Sequence, residues 1–529
     1  RRRSRVGRGL AAALTLVAIA GLARASGATA GRRVDPQVAR IMDKAQYRHG
    51  RWGLLASEPR SGVPLQSLNP GQAFVPGSAT KLFSISAAWN TLGPRHRFTT
   101  PVYALGRRQA SELDGNLVLV ASGDLTLGGR TTRTGAVAFT NVDHGDANSV
   151  PGATLTPEDP LAGLSEIARQ VRRSGITRVN GNVVIDDRLF APDPVLTSED
   201  PELDPIMIND NLIDVQVTPT QPGRAARVFW RPQTASNTLD GQVMTAPATR
   251  AATFPPRWSI STTSDGRIAV SGTIPRNAGR QLQTLTIADP AAFARTALIQ
   301  ALARAGVSVS AAVTGPDPEQ LLAQTRTYPA STRVAAYVSP PYREYAKLIL
   351  KVSHNLGAQL AICLMAGLRH TQDCETGFAV ERTFLRRARV DLSQVAFADG
   401  RGGAPSDRAT PTAVVALLSW WLSRPDFAAF RRSLPILGVD GSLAGVESRS
   451  PARGKVFAKT GTAVGGDSLN GRLVVEGKGL AGYLQARGHR FIPFALFLGD
   501  TFTPTIQGVE RAGNDLGAIA AILQQRFAR

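Results

Sequence analysis

Serine and lysine residues recur in this 529-residue chain at three places where their spacing could support catalysis. Ser78 precedes Lys81 by three residues in the stretch FVPGSATKLF. Ser353 precedes Asn355 by two residues in KVSHNLG, and Lys459 begins the run Lys-Thr-Gly-Thr in FAKTGTAV. A serine hydroxyl is a poor nucleophile until a base removes its proton, and a lysine can be that base when burial or a nearby cation lowers its pKa. The chemistry that this set suggests is acyl transfer through a serine ester.

The first of these groups is ambiguous when it is taken alone. Apolar residues follow Ser78 at helical spacing, and Gly93-Pro94 end the pattern, so Ser78 is predicted to stand at the start of a buried helix. A serine at that position is also an ordinary helix cap. The ordered set of all three groups favours catalysis over capping, because serine acyl-transfer enzymes combine Ser-x-x-Lys, Ser-x-Asn and Lys-Thr-Gly in this order.

Each of the five principal residues has a physical role in such a reaction. Ser78 is the predicted nucleophile and Lys81 its base, since residues i and i+3 share a helix face. Ser353 can relay a proton to a leaving amine, and Asn355 can hold both the substrate amide and Lys81. Lys459 is predicted to lower the pKa of Lys81 as a second cation and to attract a carboxylate.

The rest of the Lys-Thr-Gly-Thr run is predicted to bind substrate. Thr460 and Gly461 follow Lys459 on what should be an edge strand, where Gly461 would let the substrate lie close to the backbone. Thr462 can donate its backbone N–H to an oxyanion, opposite the N–H of Ser78, and its hydroxyl to a carboxylate.

With these motifs, the chain resembles the D-alanyl-D-alanine carboxypeptidases and endopeptidases of the penicillin-binding protein 4 type. The stretches LDGNLVLVASGDLTL, NGNVVIDDRLF, LPILGVDGSLA and GKVFAKTGT carry the likeness, together with the 275 positions between Ser78 and Ser353. The resemblance covers nearly the whole mature chain. It implies an exported enzyme that cleaves D-Ala peptide bonds in peptidoglycan stem peptides through an acyl-serine intermediate. It also implies that β-lactams acylate the same serine and that no metal or cofactor is needed.

The sequence departs from the family pattern at three places. His354 and Gln359 stand where the family usually has acidic residues, so the preference for substrate side chains is expected to differ. The loop DGRGGAPSDR, residues 399–408, carries Arg401 in place of a serine, and it is longer than the family's. An additional stretch, AVGGDSLNGRLVVEGKG, follows Thr462.

Three further residues look catalytic but are predicted to be structural. Ser468 lies in a Gly-Asp-Ser-Leu block like that of one lipase class, but it stands late in the chain and is predicted to be a turn serine. Asp399 and Asp440 could be paired carboxylates, but both precede glycine, which is typical of turns.

The predicted fold class is α/β (α+β), a penicillin-binding or serine β-lactamase-like domain whose antiparallel sheet is flanked by helices. An amphipathic helix over 35–50, a β-hairpin and a closing helix belong to it. Two smaller inserted domains are expected between the first two motifs. The predicted division is 35–100 and 325–529 for the penicillin-binding domain, 101–213 and 285–324 for an inserted α/β domain, and 214–284 for an inserted β-rich domain.

Residues 1–30 have the features of a signal peptide: a basic start, an apolar stretch and a small-residue cleavage site. An uncleaved membrane anchor is the alternative, and either places the remainder in the periplasm or cell envelope, with peripheral envelope association. In this context Cys363 and Cys374 are predicted to form a disulfide, the alternative being two buried thiols.

The net charge of +21 is spread along the chain, so it indicates a solvated surface with affinity for anionic envelope polymers. Nucleic-acid binding is the less favoured interpretation, because no basic run is interleaved with aromatic residues. Two other functions stay open: a β-lactamase or esterase on the same fold, and a non-catalytic β-lactam-binding envelope protein. The sequence does not separate carboxypeptidase from endopeptidase action, and it does not give the oligomeric state.

Overall fold

The structure is a computed structural model that describes residues 34–191, 201–251, 253–263 and 266–529. The predicted signal peptide, residues 1–30, lies outside the described residues. Within those ranges, none of the helices combines the length and apolar character that crossing a membrane requires.

The described chain contains runs of strands and runs of helices. The α-helices are α1 (Pro36–Met42), α2 (Lys81–Leu92), α3 (Ala162–Arg173), α4 (Pro290–Arg304), α5 (Tyr342–Val352), α6 (Asn355–Gly367), α7 (Gly377–Arg387), α8 (Pro411–Leu422), α9 (Phe427–Ser433) and α10 (Ile506–Ala528). The strands are β1 (Arg51–Ser57), β2 (Pro64–Leu68), β3 (Thr99–Gln109), β4 (Glu112–Val120), β5 (Arg178–Val179), β6 (Val183–Asp186), β7 (Leu212–Thr218), β8 (Arg227–Arg231), β9 (Leu239–Gly241), β10 (Met244–Ala246), β11 (Trp258–Thr262), β12 (Ile268–Pro275), β13 (Gln281–Thr286), β14 (Ser308–Val309), β15 (Arg333–Val338), β16 (Val395–Ala396), β17 (Arg408–Ala409), β18 (Val456–Asp467), β19 (Arg472–Gln485), β20 (Phe491–Gly499) and β21 (Thr501–Thr503).

The main sheet is antiparallel, in the order β18-β19-β20-β1-β2, and β21 also pairs with β19. Helices α1 and α10 cover one face, where Trp52, Leu496 and Leu516 share a core. Helices α2, α5, α6 and α8 form a second core against the other face. Strand β20 has the sequence FIPFALFLG and is apolar on both faces because each face is covered. The predicted antiparallel sheet flanked by helices is confirmed.

The part of the chain between α2 and α5 contains three further sheets. One has the order β14-β5-β4-β3-β15, with β6 beside β4, and packs against α3 and α4. The other two are β13-β7-β8 and a four-stranded sheet of β9 to β12. Gly175 and Gly306 follow α3 and α4, and both have positive φ, 94° and 81°.

The sheets suggest one change to the predicted division of the chain. Strand β15 pairs with β3 from Thr99↔Val338 to Tyr103↔Arg333, so the sheet of the inserted α/β part includes residues beyond 324. We therefore propose that this part extends to residue 338, and we keep 214–284 as the proposed β-rich part.

The first helix is shorter than predicted. The amphipathic pattern over 35–50 continues past Met42, but α1 ends there and a single 3₁₀ turn follows at Ala45–Tyr47. The chain must turn at this point because the Tyr47 ring packs edge-on against Trp52 of β1, with ring centroids 5.2 Å apart.

The two cysteines form the predicted disulfide. Cys363 lies in α6 and Cys374 in the turn before α7, with Cα atoms 4.2 Å apart. The bond fastens α7 to the helix that begins at the second motif.

Candidate active site

Ser78 and its neighbouring lysine are brought into direct contact. Ser78 lies in a 3₁₀ turn over Gly77–Thr80, and α2 begins at Lys81, three residues later than the serine. The Lys81 side chain is fully buried. Its Nζ donates to Ser78 Oγ at 2.7 Å, to Asn355 Oδ1 at 2.8 Å and to the carbonyl oxygen of Arg401 at 2.9 Å. The first and second motifs therefore meet at this ammonium.

The second motif is a sharp turn between two helices. Ser353 ends α5 in the left-handed conformation, with φ 64° and ψ 34°, and α6 begins at Asn355. Between them, His354 caps α6, because its Nδ1 accepts the backbone N–H of Gly357 at 3.0 Å. The turn places Ser353 Oγ 2.8 Å from Lys459 Nζ, which donates to it.

The third motif lies on β18, the predicted edge strand of the main sheet. Lys459 is fully buried, and its Nζ also donates to the Thr460 carbonyl at 2.6 Å. Burial lowers the pKa of Lys459 well below its ordinary value, and the charge of Lys81 lowers it further. The three motifs thus form one continuous set of hydrogen bonds from Ser78 through Lys81 and Asn355, beside Ser353 and Lys459.

Gly461 has a different neighbour from the one predicted. A Cβ atom at this residue would lie 2.1 Å from the carbonyl oxygen of Pro76. A Cβ at Gly77, whose φ is +50°, would lie 2.6 Å from the Thr462 nitrogen. The missing side chains therefore let β18 approach the serine turn. The predicted role of Gly461 toward the substrate stays a prediction.

The hydroxyls of the third motif have partners of their own. Thr460 Oγ1 is 2.8 Å from Ser442 Oγ. Thr462 is exposed, and its Oγ1 accepts from Lys478 Nζ at 2.7 Å. This row of hydroxyl and ammonium groups is suited to an anionic group.

The loop that follows Asp399 places a backbone carbonyl against Lys81. Asp399 is fully buried, and its carboxylate accepts the backbone N–H groups of Arg401, Gly402 and Gly403 at 2.9, 2.5 and 3.0 Å. Gln359 Oε1 accepts the N–H of Gly400 at 2.9 Å. Asp399 is a turn residue, as predicted, and its turn aims the Arg401 carbonyl at Lys81.

The model of the D-Ala-D-Ala carboxypeptidase 3 (S13) family matches residues 34–499. The chain belongs to this family. It is a serine hydrolase of the D-Ala-D-Ala carboxypeptidase class that acts on peptidoglycan, as the motifs predicted.

Similar proteins match over most of their length. A D-alanyl-D-alanine carboxypeptidase of Actinomadura sp. (strain R39) is 26% identical over 464 residues, which are 83% of this chain and 78% of that protein. The D-alanyl-D-alanine carboxypeptidase DacB of Haemophilus influenzae is 20% identical over 437 residues, 79% of this chain and 81% of DacB. The crystal structure of penicillin-binding protein 4 (dacB) from Haemophilus influenzae has a TM-score of 0.68 at 19% identity, and covers 93% of this chain and 99% of that one. This likeness shows the same fold.

A buried network of charges, which the sequence did not predict, joins the inserted part of this S13 chain to the second motif. The Arg130 guanidinium donates to both oxygens of Asp143 at 2.7 Å and also to Asp210 Oδ2. Asp210 Oδ2 further accepts from His144 Nε2 at 2.7 Å and His354 Nε2 at 3.1 Å. Because Nδ1 of His354 accepts a backbone N–H, the ring proton is on Nε2, and Asp210 fixes the imidazole from its far side.

The charges of this network balance one another. Burial alone would raise the pKa of Asp210, but Arg130 and His354 hold it well below its ordinary value. Burial would likewise lower the pKa of His144, yet the carboxylates of Asp214 and Asp210 raise it to about 10. Asp143, Asp210 and His354 lie close enough together for a metal site, with ligand atoms within 4.8 Å. However, Arg130 already occupies both carboxylates, so the group fits an ion-pair network better than a cation site.

Backbone conformation at the centre of this network is unusual. Asn209, Asp210 and Asn211 all have positive φ, at 54°, 57° and 55°. Asn and Asp tolerate the left-handed region better than other residues with side chains, which is the one sign of this feature in the sequence.

The sequence motifs also do not reveal three other groups at the site, which are Ser442, Lys478 and the Arg401 carbonyl. A side chain that pairs across strands and a backbone carbonyl produce no recognisable sequence motif. Ser468 is in the turn between β18 and β19, as predicted.

Proposed function

We propose that the chain hydrolyses the bond after a D-Ala residue of peptidoglycan stem peptides, with Ser78 as the nucleophile and Lys81 as its base. The observation that carries this proposal is the 2.7 Å hydrogen bond between Lys81 Nζ and Ser78 Oγ, in a set that also contains Asn355, Ser353 and Lys459. A neutral Lys81 takes the proton of Ser78 as the hydroxyl oxygen attacks the substrate carbonyl. The oxyanion that forms would lie between the backbone N–H groups of Ser78 and Thr462.

Collapse of the intermediate requires a proton on the leaving amine. Ser353 is placed to relay it, since Lys459 Nζ donates to Ser353 Oγ at 2.8 Å. In this proposal the proton that Lys81 takes from Ser78 passes by way of Ser353 to the amine, and the C–N bond breaks to leave an acyl-Ser78 ester and a neutral Lys81. Water then attacks the ester with Lys81 as base, which breaks the bond to Ser78 Oγ and restores the hydroxyl.

The same geometry supports inhibition by β-lactams. A β-lactam presents a strained amide and a carboxylate, so it would meet Ser78 and the Thr460–Thr462 row as a stem peptide does. A structure of the Haemophilus influenzae relative has been solved in complex with a β-lactam. For this chain we propose acylation by β-lactams at Ser78.

We also propose that the protein acts outside the cytoplasmic membrane, in the periplasm or cell envelope. The sequence features of residues 1–30 support export, and so does the Cys363–Cys374 disulfide, because such bonds persist in oxidising compartments.

One experiment tests the nucleophile and separates the rival functions. A fluorescent penicillin should label the wild type and the Ser468→Ala control, whereas Ser78→Ala should not be labelled. The same samples are assayed for D-Ala release from a pentapeptide and for β-lactam turnover. We expect rapid D-Ala release with slow turnover of the β-lactam. Rapid β-lactam hydrolysis without D-Ala release would indicate a β-lactamase, and labelling without either reaction would indicate a non-catalytic binder.

A further inference from the structure

A carboxylate from the inserted part faces the lysines of the candidate site, although none of the three motifs contains it. Asp146 ends a 3₁₀ turn, His144–Asp146. Contacts on both sides hold this turn in place. His144 Nε2 hydrogen-bonds to Asp210 Oδ2 at 2.7 Å, and Asn148 exchanges two hydrogen bonds with the backbone of Thr284, at 2.9 and 3.0 Å. The Asp146 carboxylate therefore projects from a fixed segment of the backbone.

A small cavity connects Asp146 to the second motif. Its volume is about 30 Å³, and its lining includes Asp146, His354 and Asn355. Asn355 Oδ1 also accepts from Lys81 Nζ at 2.8 Å, so a single side chain separates this cavity from the lysine. Polar cavities of this size hold water, and water can solvate a half-buried carboxylate such as that of Asp146. The site thus has room for an ionised Asp146.

The charges that act on Asp146 come from its own segment and from three other elements. Burial, reinforced by the charge of Asp143, raises the pKa of Asp146 to about 6. His354 before α6, Lys81 of α2 and Lys459 of β18 act in the opposite direction. Within the described part of the chain the carboxylate has no hydrogen-bond or ion-pair partner. Asp146 is therefore mostly ionised at pH 7 and mostly neutral at pH 5, and the lysines of the site respond to this difference.

Lys459 is the group on which the Asp146 charge has the clearest effect. Burial lowers the pKa of Lys459 well below its ordinary value, and the charges of Lys81 and Lys478 act in the same direction. Of the charges that act on Lys459 in the described chain, only that of Asp146 favours the protonated form. Without this carboxylate, Lys459 would lose its proton at a lower pH.

The proposed reaction needs one proton on the two lysines of the site. Lys81 must be neutral to take the proton of Ser78, whereas Lys459 Nζ donates to Ser353 Oγ at 2.8 Å. Because their charges repel each other, Lys81 and Lys459 titrate as a coupled pair. The pair is active after it has lost its first proton and before it loses its second. A nearby carboxylate widens that range at its alkaline end.

A structural role in the turn would be the alternative for Asp146. The turn already has its side-chain cap, because Asp143 Oδ1 accepts the N–H of Gly145 at 3.4 Å. Asp146 contributes its backbone carbonyl, which accepts the N–H groups of Ser149 and Val150 at 3.0 and 2.9 Å. None of these bonds uses the Asp146 carboxylate, so the turn does not account for it.

We propose that Asp146 is a positioning residue for the proton of the site: its carboxylate holds one proton on the pair of Lys81 and Lys459, so that Lys459 remains the donor to Ser353. This inference rests on the proposed function and adds to it a residue from the inserted part.

The test is the pH dependence of Ser78 acylation at saturating benzylpenicillin, measured from pH 5 to about pH 9. In Asp146→Asn the alkaline fall of the rate should have its midpoint roughly half to one pH unit below that of the wild type. The two rates should agree at pH 5, because Asp146 is mostly neutral there. Asp146→Glu keeps the charge and should keep the wild-type midpoint. Asp159→Asn, at an exposed residue of the same inserted part, is the matched control.

Two outcomes of the acylation assay would overturn the proposal. An unchanged alkaline midpoint in Asp146→Asn would show that its charge does not act on the pair. A loss of the same size at every pH would indicate a structural role, since the neutral form of Asp146 is already present at pH 5.

Thermal unfolding provides a readout that does not depend on activity. Asp146→Asn is introduced into the wild type and into Lys459→Met. At pH 7 the change should be less favourable in the wild type, because only there does it remove an attraction to the Lys459 ammonium. At pH 5 the two effects should agree, and equal effects at both pH values would refute the coupling. If the wild type were not acylated at all, the proposed function would fail, while this comparison would still test Asp146.

Discussion

Lys459 is held where its own charge is unfavourable. Its side chain is fully buried, and the charges on Lys81 and Lys478 oppose its protonation, so its pKa lies well below the ordinary value. Its Nζ nevertheless donates a hydrogen bond to Ser353 Oγ at 2.8 Å. Such a residue should cost stability while it supports the reaction, which is the usual conflict at active sites.

We therefore expect Lys459→Met to separate activity from stability. The variant should acylate with benzylpenicillin roughly 100-fold more slowly, even at saturating concentration, because Ser353 loses its hydrogen-bond donor. Its unfolding temperature should be unchanged or higher, since the methionine fills the space of the lysine stem without a buried charge. Lys455→Met, at an exposed lysine just before β18, is the control. If Lys459→Met were acylated at the wild-type rate, Lys459 would have no part in the chemistry.

Among single residues, the sequence motifs predicted the side chains that meet at the candidate site, but not the groups that support them. The side chains of the three motifs come together as predicted, because the identity and spacing of motif residues reflect the chemistry of their side chains. These residues are Ser78, Lys81, Ser353, Asn355 and Lys459. No sequence motif marks the Arg401 carbonyl that accepts from Lys81, because every residue has a backbone carbonyl. The scarcity of lysine in this chain is a further indication of where the site lies. The chain has 7 lysines among 61 basic residues, and Lys81, Lys459, Lys478 and Lys351 all lie in or beside the site.

Helix α6 and the turn before it depend on an element from the inserted part. Asp210 accepts from His354, whose other nitrogen caps α6, and the strained segment 209–211 holds Asp210 in place. Backbone strain of this kind persists only where surrounding contacts impose it, and it is typical of functional sites. Asp210 is thus a positioning residue for Ser353 and Asn355, on either side of His354.

Asp210→Asn should lower kcat roughly tenfold with little change in KM, because the second motif loses its anchor while the binding groups remain. Asp214→Asn is the matched control. It disrupts the same network through His144 and Arg231, but it does not touch His354. Both variants should unfold at lower temperature than the wild type. An equal fall in kcat in the two variants would reduce Asp210 to a structural role.

Helices and strands were predictable where the spacing of apolar residues agreed with the positions of glycine and proline. The hairpin of β1 and β2, the glycine stops after α3 and α4, and the turn at Ser468 follow from local sequence. The early end of α1 does not, because a tertiary contact between Tyr47 and Trp52 overrides the apolar pattern. The Arg130–Asp210 network is not local either, since its members come from three distant stretches.

In the whole molecule, the inserted part reaches the site from two directions. Asp210 contacts His354 in the second motif, and Asn141 Oδ1 accepts the N–H of Gly441 at 2.9 Å, in the turn that carries Ser442. Residues 82–352, between the first two motifs, therefore supply part of the support of the site. Sequence motifs located the insertion, but only the folded chain shows that it contacts the turn of the second motif.

Stability of the whole chain should depend on pH through Glu381, a buried residue of α7. Burial, reinforced by the charge of Asp407, raises the pKa of Glu381 to about 8, against an ordinary value of 4.5. The folded chain then holds this proton over a range where the unfolded chain has lost it. Its contribution to stability is fully present below about pH 4.5, falls as the pH rises, and is lost by about pH 8.

The Glu381→Gln variant has a side chain at this position that is neutral at every pH. The variant should therefore unfold near the wild-type temperature at pH 5 and well above it at pH 8. Each pH unit of that interval is worth about 1.4 kcal/mol, which places the difference at a few kcal/mol at most. Thermal unfolding at the two pH values measures it, with the exposed Glu375→Gln as control, and the same offset at both pH values would refute a protonated Glu381.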